Sequence, residues 1–327
     1  MAFASKAGKY NFDGRTIFML ISYVIPAFNT SSTISRVLDS IFRCMSDSWQ
    51  VEAIVVDDGS NDGVDLAIAV ANYPKARLVV HETNKGMCAG RNSGILASLG
   101  DIVIILDADD ELVDSWPLVL EKIVREWPLE ANVCYAACKN TVGVVTAQEP
   151  DYQGFLSLQD ILNERHTGEY IPLFRGDYVR PKPYVDLNMR KSCGIVSYIN
   201  FAQDGPFWVT NSVFRIYHDQ STGSVSQGWT APKKAAETVE CYKKLFELYE
   251  SQYLSFAPKV YKLKLLKLAV YMKLAGIPGA WKEWRKGASF SVLKETVGAA
   301  VLLMVGLTVS ALIILTIKKI GLVKRYG

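Results

Sequence analysis

Three aspartates, Asp107, Asp109 and Asp110, have the residue type and spacing to bind a metal ion. They follow the apolar run 102–106, which is typical of a buried strand, so their carboxylates fall at the edge of a parallel sheet where ligands bind. Carboxylates gathered at such an edge need a counter-charge. Mg²⁺ or Mn²⁺ supplies it and takes its other ligands from phosphate and water. The alternative interpretation is a cap for a helix that begins near Leu112, because acidic side chains stabilise helix N-termini.

The elements that position these aspartates alternate between strand and helix patterns. Continuous apolar runs predict buried strands over 17–25, 51–56, 76–81 and 102–106. Apolar residues at helical spacing predict helices over 31–42, 64–71 and 89–99. This alternation indicates an α/β fold with a mostly parallel, Rossmann-like sheet flanked by helices. Its ligands are expected beyond the carboxyl ends of the strands.

Charge and cysteine usage exclude some classes of protein. The net charge of +3 is small for 327 residues and argues against a nucleic-acid partner. The six cysteines have no paired C-x-x-C spacing, and only three histidines are present, so a structural zinc site is not expected. Reduced thiols fit a cytosolic compartment. Segment 1–15 lacks the apolar core of a secretory signal, so the domain that carries the aspartates is expected to face the cytoplasm.

The C-terminal third predicts contact with a membrane. No residue in 297–317 is charged, and a helix of that length is about 30 Å long, which matches the hydrocarbon layer. We therefore expect one transmembrane helix, with a buried core helix as the alternative. Segment 259–275 interleaves lysines with leucines, a pattern that suits either an anionic membrane surface or a helix packed on the domain. Basic residues flank the span on both sides and leave its orientation open.

Four motifs stand in order at predicted strand ends. They read Val24-Ile25-Pro26-Ala27-Phe28-Asn29, Val55-Val56-Asp57-Asp58-Gly59-Ser60, Asn84-Lys85-Gly86 with Ala89-Gly90-Arg91-Asn92, and Asp107-Ala108-Asp109-Asp110. Together they resemble the family-two glycosyltransferases of the GT-A fold, over roughly residues 21–111. The resemblance implies an inverting transfer of a sugar from a nucleoside diphosphate donor.

The resemblance also divides the chain into segments with expected roles. These are an N-terminal extension (1–16), a nucleotide-sugar-binding half (17–127), an acceptor-side half (128–230), basic membrane-proximal helices (231–291), a transmembrane helix (292–318) and a basic tail (319–327). The acceptor-side half is expected to be irregular, because the strand and helix patterns shorten after Trp127.

Donor-binding roles follow from the resemblance at matching positions. Pro26 and Phe28 are expected to line the nucleotide pocket together with Asn29, and Asp57 or Asp58 accepts a hydrogen bond from the base. The cations expected near the nucleotide are those of Lys85 and Arg91, with Gly86 allowing close approach of the backbone.

Metal and catalytic roles also follow from the resemblance. Asp107 and Asp109 bracket the metal and the donor ribose, Asp110 is a substitute ligand, and His218 resembles a late histidine that contacts metal or diphosphate. The ion, Mn²⁺ or Mg²⁺, stabilises the leaving diphosphate.

The expected general base is Asp204, which removes the proton of the acceptor hydroxyl. Its spacing to the element 215–218 is shorter than the family pattern, and Asp177 and Asp186 are the alternatives.

The expected acceptor is a lipid-linked or growing glycan at the membrane. A processive polymerase does not fit, because Ser226-Gln227-Gly228-Trp229 lacks the arginine of the polymerase motif. Two other functions remain open. A GT-A-like nucleotidyltransferase would usually have a glycine-rich basic loop after the first strand, and a catalytically inactive, membrane-anchored module would keep the nucleotide pocket without a base. The sugar, the base of the donor and the oligomeric state are not specified by these patterns.

Overall fold

The computed structural model describes residues 19–44, 49–189, 193–218 and 231–305. In these residues the strands are β1 (Met19–Ala27), β2 (Trp49–Asp57), β3 (Ala76–Val80), β4 (Ile102–Ile105), β5 (Glu111–Leu112), β6 (Val133–Asn140), β7 (Gly154–Leu156), β8 (Tyr170–Arg175) and β9 (Phe207–Tyr217). The helices are α1 (Ser31–Phe42), α2 (Gly63–Ala71), α3 (Met87–Ala97), α4 (Trp116–Glu126), α5 (Leu158–Leu162), α6 (Gly176–Val179), α7 (Gly194–Ala202), α8 (Pro232–Phe256), α9 (Pro258–Leu274), α10 (Ala280–Gly287) and α11 (Leu293–Val305), with a 3₁₀ helix at Phe290–Val292.

The strands form one mixed sheet in the order β3-β2-β1-β4-β8-β6-β9-β5, with β7 paired to β9. The four strands β3, β2, β1 and β4 run parallel, as the sequence predicted for the first half. The prediction of a mostly parallel sheet is wrong beyond β4, because β8 runs antiparallel to both β4 and β6, and β5 antiparallel to β9. Strands β6 and β9 are again parallel, with irregular register near Ala137.

Helices cover both faces of the parallel strands, which explains why these strands are apolar on both sides. Tyr23 and Ile25 belong to the main core with residues of α1, α2 and α4. Val24 and Val56 meet α3 instead, at Gly94, where an added Cβ would lie 2.3 Å from Val24 Cγ1. The glycine therefore lets α3 approach β1 and β2 closely. This close packing fixes α3, whose N-terminus lies next to the strand ends.

The predicted helix 31–42 is confirmed at the same residues, and the strands predicted over 51–56, 76–81 and 102–106 are confirmed within a few residues. Ile34, Val37, Leu38 and Ile41 of α1 are fully buried, as their helical spacing indicated. Helix α3 begins at Met87, two residues before the predicted start. The six cysteines are free thiols.

The described chain groups into two compact units that do not follow the predicted halves. The first unit comprises described residues of 19–155, 169–189 and 206–218, and contains most of the sheet with α1–α4 and α6. The second unit comprises 156–168, 193–205 and 231–305. It consists of α5 and α7 to α11, so two short segments from the predicted acceptor-side half belong with the C-terminal helices.

In the second unit, α9 is the central helix and contacts α8, α10 and α11. Lys264 and Lys267 of α9 are buried, with 1% and 6% exposure. The expected basic stripe on a membrane surface is therefore wrong for these two lysines, and the alternative of a helix packed on the domain holds for α9.

The predicted transmembrane helix is only partly described. Helix α11 begins at Leu293, and residues 306–318 of the predicted span lie outside the described residues, as do the extension 1–16 and the tail 319–327. Across the described ranges, no single helix combines the length and apolar character needed to cross a membrane. Helix α10 and the segment Phe290–Met304 meet that test only as a pair, and the pair is bent by 102°.

Candidate functional site

The carboxyl ends of three parallel strands in the first unit meet at one edge of the sheet. Ala27, the last residue of β1, pairs with Asp57, the last residue of β2. Val24 of β1 pairs with Ile105, which ends β4. The loops that follow these strands therefore begin side by side, as expected for a ligand edge in an open α/β sheet.

The loops after β1 and β2 are tied together by Asn29. Its backbone N–H donates to Ser60 Oγ at 2.9 Å, and its Oδ1 accepts from the backbone N–H of Asn61 at 2.8 Å. Asn29 has a φ of 55°, in the left-handed region that asparagine tolerates better than most residues. Next to it, Phe28 is 45% exposed and Pro26 is half-buried. The edge thus presents an aromatic ring on a loop held by hydrogen bonds.

Asp58 is a buried carboxylate that anchors the loop before α3. Its Oδ1 accepts from the backbone N–H of Lys85 at 2.9 Å, and its Oδ2 accepts from that of Gly86 at 2.8 Å. His81 Nδ1 lies 2.7 Å from the same Oδ1, and His81 Nε2 lies 2.8 Å from Ser93 Oγ. Asp58 and His81 are 4% and 7% exposed. The structure therefore gives Asp58 a set of partners within the protein.

Asp57 is equally buried and accepts a hydrogen bond at Oδ1 from the backbone N–H of Ser60, at 2.8 Å. Gly59 between them has a φ of +73°, and a Cβ there would lie 2.6 Å from the backbone N of Asn84. Only glycine fits both the conformation and the space. The two motifs Asp57-Asp58-Gly59-Ser60 and Asn84-Lys85-Gly86 are consequently in direct contact, with the Lys85 side chain exposed.

Helix α3 contributes Arg91 and Asn92, which both hold Tyr184. The Asn92 side chain donates to the Tyr184 carbonyl and accepts from its N–H, each at 2.8 Å. The Arg91 guanidinium lies over the Tyr184 ring, 5.1 Å from its centroid, and its Nη2 is 3.6 Å from Asp107 Oδ1. Arg91 thus links the loop before α3 to the acidic loop after β4.

The acidic loop after β4 surrounds a buried cation, Arg215 of β9, which is 2% exposed. Its Nη1 lies 3.1 Å from Asp107 Oδ2 and 3.0 Å from Asp110 Oδ2, and its Nη2 lies 3.4 Å from Glu169 Oε2. Its Nε donates to Cys138 Sγ at 3.2 Å. We refer to Asp107, Asp109, Asp110 and Arg215 as the acidic cluster.

The three carboxylates of the acidic cluster differ in exposure. The Asp107 side chain is 38% exposed, whereas Asp110 is 1% exposed. Burial raises the pKa of Asp110 to about 7; Arg215 lowers it, and the neighbouring Asp107 and Asp109 raise it. The cluster therefore carries more negative charge than Arg215 neutralises, and Asp107 presents part of that charge outward.

Helix α1 holds the backbone of the acidic loop in place. Thr33 Oγ1 donates to the carbonyl of Ala108 at 2.7 Å, and an Arg36 guanidinium N–H donates to the carbonyl of Asp109. The backbone N–H of Asp110 donates to the Asp107 carbonyl at 3.2 Å, which closes a turn. The turn that carries the carboxylates is thus held by two side chains of α1 and by a backbone hydrogen bond of its own.

The predicted metal ligands are not gathered into one set. His218 Nε2 lies 3.0 Å from Glu111 Oε1, and its backbone N–H donates to Asp110 Oδ1 at 2.9 Å. Throughout the described part of the chain, no group of three or more His, Cys, Asp or Glu side chains is placed to hold a metal. Asp107, Asp109 and His218 are thus not part of such a group in the described residues, and their role as metal ligands stays a prediction.

The candidates for the general base lie in different places. Asp204 is exposed just after α7, in the second unit, and its backbone N–H donates to the Phe201 carbonyl. Asp177 lies in the first turn of α6, and Asp186 is exposed in the loop that follows Tyr184, both in the first unit.

Two polar side chains in this site, Arg215 and His81, were not assigned a role from the sequence. Arg215 is a single cation within the apolar strand β9, which is the signal for a buried ion pair. His81 directly follows the apolar strand β3, and a polar ring at a strand end of this sheet indicates a ligand-edge contact.

The sequence of this chain is similar to a known protein family and to proteins of polysaccharide synthesis. The family described as Glycosyl transferase family 2 matches residues 22–171. The succinoglycan biosynthesis protein ExoO of Rhizobium meliloti is 34% identical over 90 residues, which are 28% of this chain and 25% of that protein. The UDP-Glc:alpha-D-GlcNAc-diphosphoundecaprenol beta-1,3-glucosyltransferase WfgD of Escherichia coli is 29% identical over 91 residues, which are 28% of this chain and 35% of WfgD.

A solved structure shares the fold. The structure of S. aureus TarS 1-349 in complex with UDP-GlcNAc has a TM-score of 0.55 and 14% sequence identity, and the match covers 87% of this chain and 84% of that one. The fold is therefore GT-A-like, with a mixed sheet flanked by helices. The chain spans about a quarter to a third of the length of these two curated relatives.

Proposed function

Because residues 22–171 form a Glycosyl transferase family 2 domain, we propose that this chain is an inverting glycosyltransferase. It moves a sugar from a nucleoside diphosphate donor to a hydroxyl group of an acceptor. The observation that carries the proposal is the acidic cluster at the end of β4, where partly exposed Asp107 lies between Arg91 and Arg215. At the ligand edge of the sheet, carboxylates suit the metal ion of a diphosphate donor, and the neighbouring arginine side chains suit its phosphates.

The donor nucleotide is proposed to bind over the loops after β1 and β2. The exposed ring of Phe28 offers a stacking surface for the base, and Asp57 or Asp58 offers an acceptor for a base N–H. Lys85 and the N-terminus of α3 lie beside the same loops and attract phosphate oxygens. Two names among the similar proteins, UDP-GlcNAc in the TarS structure and UDP-Glc in WfgD, suggest a uridine diphosphate donor as the first one to test.

A divalent cation fits the acidic cluster when the donor provides part of its ligands. Mg²⁺ usually takes one or two carboxylates and completes its shell with phosphate and water, so a set of three protein ligands is not needed. Asp107 is partly exposed and Asp109 half-buried, and they would hold the ion. Burial is the main cause of the raised pKa of Asp110, and the neighbouring Asp107 and Asp109 raise it further, which supports a place for additional positive charge beside them. When bound, such an ion stabilises the charge that develops on the leaving diphosphate.

The second part of the proposal concerns the general base and the acceptor. Asp204 is the proposed base, with Asp177 and Asp186 as alternatives, and removal of a proton from the acceptor hydroxyl is its role. A lipid-linked or glycan acceptor is proposed, since WfgD is named for a diphosphoundecaprenol acceptor. The proposed location is a membrane, with the catalytic domain on the cytoplasmic side.

The decisive experiment compares two aspartates that differ in position but not in chemistry. Asp109→Asn is expected to raise the UDP concentration needed for half-maximal thermal stabilisation in the presence of Mn²⁺ at least tenfold, because a neutral amide cannot balance the charge of the ion. Asp114→Asn removes the same charge five residues later, where the Asp114 side chain is 81% exposed and pairs with Arg43, and it should leave binding unchanged. Thermal shift with UDP, with and without Mn²⁺, measures both.

Transfer assays then separate the alternatives. Release of UDP from a UDP-sugar with formation of a glycosylated acceptor supports the transferase. Donor binding without any release or transfer, across lipid-linked and glycan acceptors, would indicate the inactive binding module instead. Equal UDP affinity in Asp109→Asn and the parent chain would rule out the acidic cluster as the diphosphate site.

A further inference from the structure

The C-terminal helices of the second unit expose a continuous apolar surface. Leu293, Val297, Val301 and Met304 of α11 are 47–68% exposed, and their spacing of four, four and three residues places them on one face of the helix. Phe290, which precedes them in the 3₁₀ turn, is 94% exposed. The opposite face of α11 is packed, with Thr296, Ala299 and Leu303 buried. Helix α11 therefore has one apolar face inside the unit and a second one in solvent.

Helix α10 adds aromatic and basic side chains to the same part of the chain. Trp281 is 42% exposed and forms an edge-to-face pair with Trp284, with ring centroids 5.5 Å apart. Trp284 is anchored, since its Nε1 donates to the Thr296 carbonyl of α11 at 3.0 Å. The pair α10 and α11 is thus fixed as one elbow, which we define as residues 280–304.

The charges on the elbow favour one kind of partner. Within the elbow the basic residues Lys282, Arg285, Lys286 and Lys294 are all exposed, and Glu283 and Glu295 are the acidic residues. Lys286 pairs with Glu283 at 3.0 Å. Tryptophans and lysines beside an apolar face are the composition found at the boundary between headgroups and acyl chains.

From these observations we infer that the elbow docks on the surface of an anionic lipid bilayer. Phe290 and the exposed face of α11 enter the boundary of the acyl chains, Trp281 lies at headgroup level, and the α10 cations contact lipid phosphates. Exposed cations beside a tryptophan and an apolar face suit an anionic lipid surface, whose phosphates attract the cations and whose acyl chains accept the apolar side chains. The bend of 102° between the two helices lets α10 lie along the surface while α11 meets it at a different angle.

This inference specifies the membrane location given under the proposed function, but it does not depend on sugar transfer. UDP binding and transfer are read separately in the same variants. Loss of vesicle contact with retained UDP binding concerns the elbow alone, and loss of UDP binding with retained vesicle contact concerns the donor site alone.

The test uses a local signal, so that binding by other parts of the chain does not mask it. The full-length protein is mixed with vesicles of phosphatidylcholine, with or without phosphatidylglycerol, whose acyl chains carry bromine, which quenches nearby tryptophans. We expect quenching on the anionic vesicles, and Trp281→Phe should remove a clear share of it. Lys282→Glu with Arg285→Glu should raise the anionic lipid concentration needed for half-maximal quenching on the order of tenfold or more.

The matched control is Lys243→Glu with Lys244→Glu, which reverses two exposed lysines on α8 in the same unit and should change quenching little. Phe290→Ser is a second probe, since an exposed side chain is replaced without disturbing the packed core, and it should lower quenching at every lipid composition. Circular dichroism checks that each variant folds.

Three results would overturn the inference. They are quenching that is unchanged in Trp281→Phe, α10 charge reversals that act no more strongly than the α8 control, and lipid-free dimers that Phe290→Ser abolishes while vesicle contact is absent. The last result would assign the apolar face to a second copy of the chain.

Discussion

Asp58 depends on three donors inside the protein, and His81 is the one that can be removed by mutation. We predict that His81→Phe lowers the free energy of unfolding by about 1–3 kcal/mol, because a buried carboxylate loses a partner that water cannot replace. We also expect weaker UDP binding, because Asp58 holds the N–H groups of Lys85 and Gly86. Urea unfolding and UDP titration measure the two effects.

Ser93→Ala is the control for that prediction. It removes the other hydrogen bond of His81, but the Ser93 side chain is half-buried, so water can take its place. A loss in Ser93→Ala as large as that in His81→Phe would contradict the view that the bond to Asp58 is the important one.

Arg215 is the buried cation of the acidic cluster, and its removal should have a pH-dependent cost. We predict that Arg215→Met destabilises the protein by about 3–5 kcal/mol at pH 8, because Asp107, Asp110 and Glu169 lose their shared counter-charge. The loss should be smaller at pH 5.5. The pKa of Asp110 is already about 7 in the presence of Arg215, so below that pH protonation relieves the repulsion.

Arg43→Met removes an arginine whose pair with Asp114 is largely exposed, and unfolding should not change measurably. Urea titrations of both variants at the two pH values provide the comparison. An Arg215→Met loss that is the same at pH 5.5 and pH 8 would show that packing, rather than charge, is what Arg215 contributes.

The site residues differ in how far the sequence could reveal them. Asp107, Asp109 and Asp110 were predictable because they directly follow an apolar strand, and a strand end is a local pattern. Arg215 lies 108 residues after Asp107, and only the pairing of β9 with β6 and β5 brings it there. A local pattern cannot report that pairing, so the sequence suggested a metal as the counter-charge and missed the arginine.

At the scale of elements, Glu52 of β2 joins β1, β3 and the loop between α3 and β4, far from the ligand edge. Its Oε1 accepts from Ser22 Oγ at 2.5 Å and from the backbone N–H of Leu99 at 2.8 Å, and its Oε2 pairs with Arg77 at 2.7 Å. Burial raises the pKa of Glu52, but the hydrogen bonds from Ser22, Leu99 and Arg77 outweigh it, so the pKa lies below its usual value.

We predict that Glu52→Gln lowers the free energy of unfolding by about 1–2 kcal/mol at pH 7 and that the difference shrinks as the pH falls. A lowered pKa means that the folded state binds the proton less tightly than the unfolded state. The stability that Glu52 contributes is therefore present above the ordinary carboxyl pKa and is lost as the pH falls through the folded value. Urea unfolding at pH 7 and near pH 3.5 tests this, with exposed Glu130→Gln as a control that should show no difference at either pH.

The first four strands were predictable because helices cover both of their faces, which makes each strand a continuous apolar run. Strands β6, β8 and β9 were not, since their direction and order depend on pairings between distant segments. The register of β6 with β9 shifts on both sides of Ala137, and such an irregularity has no fixed sequence pattern. The order and direction of the strands in the mixed half of the sheet could therefore be learned only from the structure.

At the scale of the whole molecule, the chain contributes to its second unit three times. Residues 156–168 and 193–205 join the C-terminal helices, although they lie within the predicted acceptor-side half. Composition and periodicity divide a chain into successive segments, so they could not predict units built from interleaved ones. The candidate base Asp204 lies in one of these segments, so its place in the fold could not be predicted from a local pattern.

The ion pair between Glu164 and Lys264 holds the segment 156–168 to the C-terminal helices. We predict that replacing its two members one at a time has unequal effects on stability. Lys264 Nζ lies 2.6 Å from Glu164 Oε1 and within 6.0 Å of the ring centroids of Tyr242 and Tyr253. The side chain of Lys264 is 2% exposed, whereas that of Glu164 is 23% exposed. Glu164→Gln leaves a buried ammonium without that counter-charge and should cost about 3 kcal/mol or more. Lys264→Met fills the same space without a charge and leaves a carboxylate that water can reach, so its cost should be clearly smaller. Urea unfolding of the two variants decides the point, and a larger loss in Lys264→Met would mean that the tyrosines, rather than Glu164, stabilise the lysine.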